Sequence, residues 1–213
     1  MCGIAGLCGT GSAPSRRVRD ELEAMMARVA PPRARRPRAC TSTGRSASAH
    51  ARLSIIDLAS GAQPLCQRGR NASGSSSTAR SSTTSSCAQD AAAPGHVFRT
   101  RIRHRGARPP VRRARRRASS SSSTASSRSR CGTGASSDCV LARDRVGIRP
   151  LFYTWRRSGG CAFASEVKAL FALPEVPRRL DADGARVDLQ LLVDRCRRHS
   201  AFEGIEQLPP GHR

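Results

Sequence analysis

MCGIAGLCG stands at residues 1–9, and within it residues 2–9 form a short apolar run closed by glycine and consistent with a strand. Cys2 is the sharpest chemical feature of the chain. Removal of Met1, favoured when a small residue comes next, leaves Cys2 bearing its own α-amino group. That amine titrates near ~8, so close to neutral pH part of it is unprotonated and can take the thiol proton. Nucleophile and base then sit in one residue, the N-terminal-nucleophile arrangement. The competing reading makes Cys2 a small buried hydrophobe of the first strand.

Outward from that run the pattern stays globular. Ser15 is placed to cap a helix over residues 16–29, where Val18, Leu22, Met25, Met26 and Val29 recur at helical spacing. Asp20 and Glu21 are expected in its first turn, where carboxylates favour the helix dipole. Residues 52–58 read as a strand, with Gly61 and Pro64 punctuating the residues after it. Residues 140–143 and 151–155 read as two strands joined across DRVGIRP, and 161–164 as another. Ser165 is placed to cap a short helix through Leu170 and Phe171.

Composition divides the chain in two. The 213 residues allow one domain or little more. Lys+Arg is 38 against 15 Asp+Glu, a net +23, and Lys168 is the single lysine. Residues 31–48 carry +5 of this and residues 67–139 carry +13, and neither stretch has a steady hydrophobic period. Residues 112–130 are low-complexity Arg/Ser sequence, which by composition reads as disordered and polyanion-seeking. Aromatics are only 3%, too few to fill a core easily. No apolar run approaches the ~18 residues of a membrane span, and no basic segment opens the chain as in a signal peptide. The expectation is a cytoplasmic protein that neither spans a membrane nor is secreted. Nine cysteines, odd in number and irregular in spacing, suit free thiols in a reducing compartment better than a disulfide framework or a zinc site.

Five segments then carry a resemblance. MCGIAGL at 1–7, HARLSIIDLASGAQPL at 50–65, LARDRVGIRPLFY at 141–153, FASEVKALF at 163–171 and FEGIEQLPPGH at 202–212 resemble, in order and rough spacing, the amino-terminal glutaminase domain of glutamine-hydrolysing asparagine synthetase. Other class II amidotransferases share the Cys-Gly-Ile start, but RLSIID followed by QP, and RDRVGIRPL followed by SEVKAL, look like the synthetase branch. The resemblance implies an α+β fold, a four-layer αββα sandwich of the N-terminal-nucleophile hydrolases. It implies that Cys2 attacks the side-chain amide of glutamine. It places the glutamine site at Arg52, Leu53, Ser54, Ile55 and Ile56, with the Arg52 guanidinium fork matched to the α-carboxylate. It implies no metal and no cofactor in this chain; ATP and Mg²⁺ belong to the family's synthetase domain, which receives the ammonia. Nothing in residues 1–213 resembles that domain's Ser-Gly-Gly-Leu-Asp-Ser loop, and LPPGH resembles the hand-over point to it. The family also implies a homodimer.

Three family segments are missing: an Arg-Gly-Pro-Asp turn, an Asn-Gly-Glu segment that donates to the oxyanion, and a Ser-Asp-Thr-Glu segment whose Asp holds the substrate amine. Arg/Ser-rich sequence stands in their places. Back-translated and shifted by one base, residues 31–36 can read His-Arg-Gly-Pro-Asp-Asp. Residues 73–87 can read Val-Trp-Val-Val-Phe-Asn-Gly-Glu-Ile-Phe-Asn-Tyr-Val-Glu-Leu. Residues 102–110 can read Ser-Asp-Thr-Glu-Val-Leu-Val-His-Leu. Residues 123–135 and 187–200 likewise yield aromatic-bearing, family-like sequence. Residues 31–48, 67–139 and 187–200 therefore read as out of frame, which leaves the expected sandwich incomplete, with ordered parts at 1–30, 49–66 and 140–186 and an irregular stretch at 67–138. The oxyanion donors align with Thr78 and Ala79, and the amine-binding Asp aligns with Arg103. Activity of the chain as written is accordingly expected to be lost. The reading from a different class, an Arg/Ser-rich nucleic-acid-binding protein, rests on charge alone and has no aromatic interleaving for base stacking. A structural protein and another class II amidotransferase are the remaining alternatives.

Overall fold

The computed structural model describes residues 3–9, 16–29, 38–42, 46–51, 65–67, 73–76, 128–133, 136–144, 146–191 and 198–212. In chain order the elements are β1 (Gly3–Cys8), α1 (Arg16–Val29), β2 (Arg38–Ser42), β3 (Ser46–Ala51), β4 (Leu65–Gln67), β5 (Ser73–Ser76), β6 (Arg128–Thr133) and β7 (Ser136–Ala142). They continue with β8 (Phe152–Trp155), β9 (Cys161–Ala164), α2 (Val167–Leu170), α3 (Ala182–Leu191) and β10 (Glu206–Gln207). Among the described residues ten strands build two sheets, ordered β10-β8-β9-β1-β3-β2 and β4-β5-β6-β7, with every pairing antiparallel.

The opening apolar run becomes a central strand of the larger sheet, flanked by β3 and β9. Its alternate residues face two different cores, as the two-residue period of a strand requires. Ala5 and Leu7, with Ala47, Ala49 and Ala51 of β3 and Ala162 and Ala164 of β9, pack beneath α1 and α2. Small alanines on three adjacent strands let the helix layer sit close. Val18, Leu22, Met25, Met26 and Val29 form the buried stripe of α1, as the helical spacing predicts. Ile4 and Cys8 turn the other way and join Phe163, Leu151 and Leu208 in a second core, against which Cys139 and Leu141 of β7 pack. Helices, larger sheet and smaller sheet thus form three stacked layers among the described residues, an α+β sandwich.

Several local expectations change. The helix begins at Arg16, so Asp20 and Glu21 fall beyond its first turn. Glu21 instead pairs with Arg17 one turn back and with the buried Arg156, which also holds Glu175. One guanidinium therefore ties α1 to the turn after β8 and to the segment after α2. Residues 136–142 and 152–155 are both strands and lie in different sheets, so DRVGIRP joins them by crossing between layers. The stretches without hydrophobic period also contain described elements. Residues 38–42, 46–48, 73–76, 128–133 and 136–139 are strands, and α3 runs through Leu191. An antiparallel ladder is made by backbone N–H and C=O groups, which every non-proline residue carries, so Ser-, Gly- and Ala-rich segments pair without a period. The register slips at β5–β6 and β6–β7 mark the weaker specification of such strands. Ser15 and residues 52–58 lie outside the described residues.

Free thiols throughout was also the wrong expectation. Cys8 of β1 is disulfide-bonded to Cys139 of β7, 131 residues away, with Cα atoms 6.2 Å apart. The bond joins the facing sheets, and spatial proximity across the sandwich, not sequence spacing, makes the pair. No described helix is long and apolar enough to cross a membrane.

Candidate active site

The site is built around the start of β1. Gly3 is the Cα partner of Ala51, and Ile4 of His50, in the antiparallel β1–β3 ladder. The covalent neighbours of the paired Gly3 and Ala51 are Cys2 and Arg52. Gly3 is required by close approach: a Cβ there would stand 1.9 Å from Cγ1 of Val29, at the end of α1. Gly6 is required for the same reason, because a Cβ would meet the Phe163 ring at 2.3 Å and the Ala47 carbonyl at 2.8 Å. The spacing of glycines in MCGIAGL thus reflects a helix on one side and an aromatic ring on the other.

Ser165 fixes the same end of the strand from β9. The Ile4 N–H donates to Ser165 Oγ at 3.1 Å, and the Ser165 N–H donates to the Ile4 carbonyl at 2.9 Å. The hydroxyl lies 3.4 Å from that carbonyl and completes the exchange. Ser165 is therefore not a helix cap. Glu166 precedes α2 in extended conformation without a side-chain cap bond, and the serine hydroxyl reaches back 161 residues to β1. Sequence reasoning missed this role because a serine before a helix has a local use that masks the distant one. His50, on the face toward the smaller sheet beside Ile4, is 1% exposed.

The RDRVGIRP segment is organised by its first two residues. Asp144 Oδ1 accepts the N–H groups of Val146 and Ile148, both at 3.1 Å. The buried Arg143 guanidinium donates to the carbonyls of Leu208 (2.8 Å), Gly147 (2.8 Å) and Arg149 (3.0 Å). The Arg143 N–H donates to the His212 carbonyl at 3.0 Å, and the Gly211 N–H to the Asp144 carbonyl at 2.8 Å. Two segments far apart in sequence, 141–153 and 202–212, are thereby clasped together. Beside them Tyr153 donates its hydroxyl to Glu206, which Arg198 also contacts. Burial pushes the Tyr153 hydroxyl up from its ordinary value, and the bond to Glu206 adds to that.

Cys2, Arg52, Leu53, Ser54, Ile55, Ile56, Thr78, Ala79 and Arg103 all lie outside the described residues. Among the described residues no group of three or more His, Cys, Asp or Glu side chains could hold a metal ion.

This architecture is shared with solved structures. One is the glutamine phosphoribosylpyrophosphate amidotransferase of B. subtilis complexed with ADP and GMP, matched at a TM-score of 0.60 and 15% identity over 80% of this chain and 43% of that one. A second, described as the allosteric regulatory enzyme of purine biosynthesis, matches at 0.63 and 14% identity with the same coverage. At 14–15% identity the likeness is one of fold. A family model described as a glutamine amidotransferase domain matches residues 1–73 and 134–213, well over half of the chain, and the chain belongs to that family. Its similar curated relatives include asparagine synthetase [glutamine-hydrolyzing] 3 of Bacillus subtilis (strain 168), 37% identical over 71 residues, 33% of this chain and 11% of that protein. Asparagine synthetase [glutamine-hydrolyzing] 2 of the same organism is 41% identical over 76 residues, 34% of this chain and 10% of that protein. The match therefore spans about a tenth of the length of these relatives. The family match passes over residues 74–133, within the Arg/Ser-rich stretch, and a nucleic-acid-binding reading is not favoured.

Proposed function

We propose that the chain is the glutaminase part of a glutamine-hydrolysing asparagine synthetase, with Cys2 as the nucleophile. Its α-amino group, freed by removal of Met1, takes the thiol proton, and the thiolate attacks the side-chain amide carbon of glutamine. A tetrahedral oxyanion forms, ammonia leaves with the transferred proton, and water releases glutamate from the thioester. Arg52 holds the α-carboxylate through its two-pronged guanidinium, with Leu53, Ser54, Ile55 and Ile56 lining the same site. The observation that supports this most is the β1–β3 register. Gly3 and Ala51 are partners in it, so the chain leaves for Cys2 and for Arg52 from neighbouring strand ends. The ammonia is destined for a synthetase domain that binds ATP and Mg²⁺ and amidates aspartate, in a cytoplasmic homodimer. This part needs no cofactor of its own for the hydrolysis.

The chain as written lacks the rest of the machinery. Thr78 and Ala79 stand at the oxyanion-donor positions, and losing even one donor costs roughly 10²–10³ in kcat. Arg103 stands where a carboxylate would bind the substrate ammonium, and like charges repel there. The test compares glutamate release from glutamine by the chain as written and by a frame-restored version, each beside its Cys2→Ala variant. The restored version is expected to turn over in a Cys2-dependent way, and the chain as written to fall at least two orders of magnitude below it. Comparable Cys2-dependent turnover by both would overturn the assignment of the missing segments. No turnover by the restored version would overturn the glutaminase reading itself.

A further inference from the structure

Cys8 has two cysteine neighbours, in two different directions. Across the sandwich it is bonded to Cys139 of the smaller sheet. Within its own sheet its Cα partner is Cys161 of β9. Directly opposed residues of an antiparallel pair share a face, with Cβ atoms about 4.5–5.5 Å apart. Their Cα separation, ~5.5 Å or less, falls inside the range a disulfide spans. Cys161 is a free thiol, and it packs with Cys139 against the same core that holds Cys8. Three cysteines on three strands are therefore gathered at one core between the sheets, which the glutaminase reading does not use.

We propose that Cys8, Cys139 and Cys161 form a thiol–disulfide exchange site, in which the Cys161 thiolate displaces Cys139 from Cys8. The Cys161–Cys8 bond forms as the Cys8–Cys139 bond breaks. The electron pair leaves on the Cys139 sulfur, which takes up a proton equivalent to the one Cys161 lost. No oxidant or reductant is consumed. The covalent tie changes from inter-sheet to intra-sheet, and the free thiol moves from β9 to β7. Cys139 and Cys161 thus alternate as the group open to modification, and the smaller sheet is held covalently in one state and by packing in the other. Burial raises the Cys161 thiol above its ordinary value, so little thiolate is present near neutral pH and exchange is slow.

The test tracks the disulfide in the folded full-length chain over hours. Tryptic cleavage places Cys8 with Cys2, and Cys139 with Cys131, so Cys2→Ser and Cys131→Ser substitutions make the peptides unambiguous. Alkylation, then non-reducing digestion and mass spectrometry, should show two linked pairs, Cys8–Cys139 and Cys8–Cys161, each with the third cysteine alkylated. Adding Cys139→Ser should leave only Cys8–Cys161, and adding Cys161→Ser only Cys8–Cys139. The chain without any substitution, digested alongside, should show the same two linkages, and in 6 M urea they should give way to scrambled pairs. A persistent Cys8–Cys139 bond with Cys161 fully alkylated at every time would overturn the proposal. So would the absence of a Cys8–Cys161 bond in the Cys139→Ser chain, or linkages to other cysteines in the folded chain as frequent as these two.

Discussion

Ser165 and Gly6 determine how well β1 is held. The Ser165 hydroxyl accepts the buried Ile4 backbone N–H. Ser165→Ala removes that acceptor and strands the Ile4 donor, a loss of about 1–3 kcal/mol. The urea midpoint should fall accordingly with an unchanged slope, and an unshifted midpoint would show that the hydroxyl is dispensable. Gly6→Ala acts by volume. Its Cβ runs into the Phe163 ring and into a backbone carbonyl that cannot move aside. Overpacking of this kind costs about 1–3 kcal/mol. Pairing it with Phe163→Leu should recover part of the loss, because the two substitutions share one contact. Strict additivity would contradict that contact.

At the scale of elements, Arg156 joins α1 to the segment after α2 through Glu21 (2.9 Å) and Glu175 (2.8 Å). Its side chain is 5% exposed, whereas the carboxylates are 11% and 20% exposed. Removing one partner of a buried pair costs about 3–5 kcal/mol, and carboxylates that keep some water place Arg156→Met at or below the low end of that range. Burial by itself would raise the Glu175 carboxyl. Hydrogen bonds from its own backbone amide and from Arg156, with the Arg156 charge, outweigh burial and hold it below the usual glutamate value. A depressed folded value means that the pair's contribution is present above the unfolded value of ~4.3 and is lost as pH falls through the folded one. Denaturant midpoints measured from pH 6 down to pH 3 should therefore decline for the parent chain and decline less for Arg156→Met. Parallel acid limbs would exclude Glu175 as a contributor.

For the whole molecule, the strongest expectation comes from strand order. β1 is paired with β3 and β9, and β9 with β1 and β8, so both central strands have a neighbour on each side and a core on each face. Their amides should exchange slowest of the described residues, and faster exchange there than in β2 or β4 at the sheet edges would contradict the topology. The coding DNA gives an independent test of the out-of-frame stretches. Single-base insertions or deletions are expected near codons 30, 38, 49, 70, 90, 101, 120, 138, 187 and 200. An unbroken frame with codons incompatible with the shifted readings would end that explanation of the missing segments.

The chain in isolation made legible whatever has a local cause. The buried stripe of α1 comes from 3.6-residue spacing, β9 from a short apolar run, and the family from motifs that survive intact around Cys2, Arg52, Arg143 and Ser165. Three things required the folded molecule. Strands at 38–42, 73–76 and 128–133 have no hydrophobic signature, because their ladders are made by backbone groups whose partners lie far along the chain. The crossing of DRVGIRP between layers depends on which sheet each flanking strand joins, and Arg143 completes it by binding the Leu208 carbonyl. Cys8 chooses Cys139 although the two are 131 residues apart. Spacing encodes only what lies within a few turns or strand residues, whereas sheet order and sulfur pairing depend on surfaces that exist only after the layers stack.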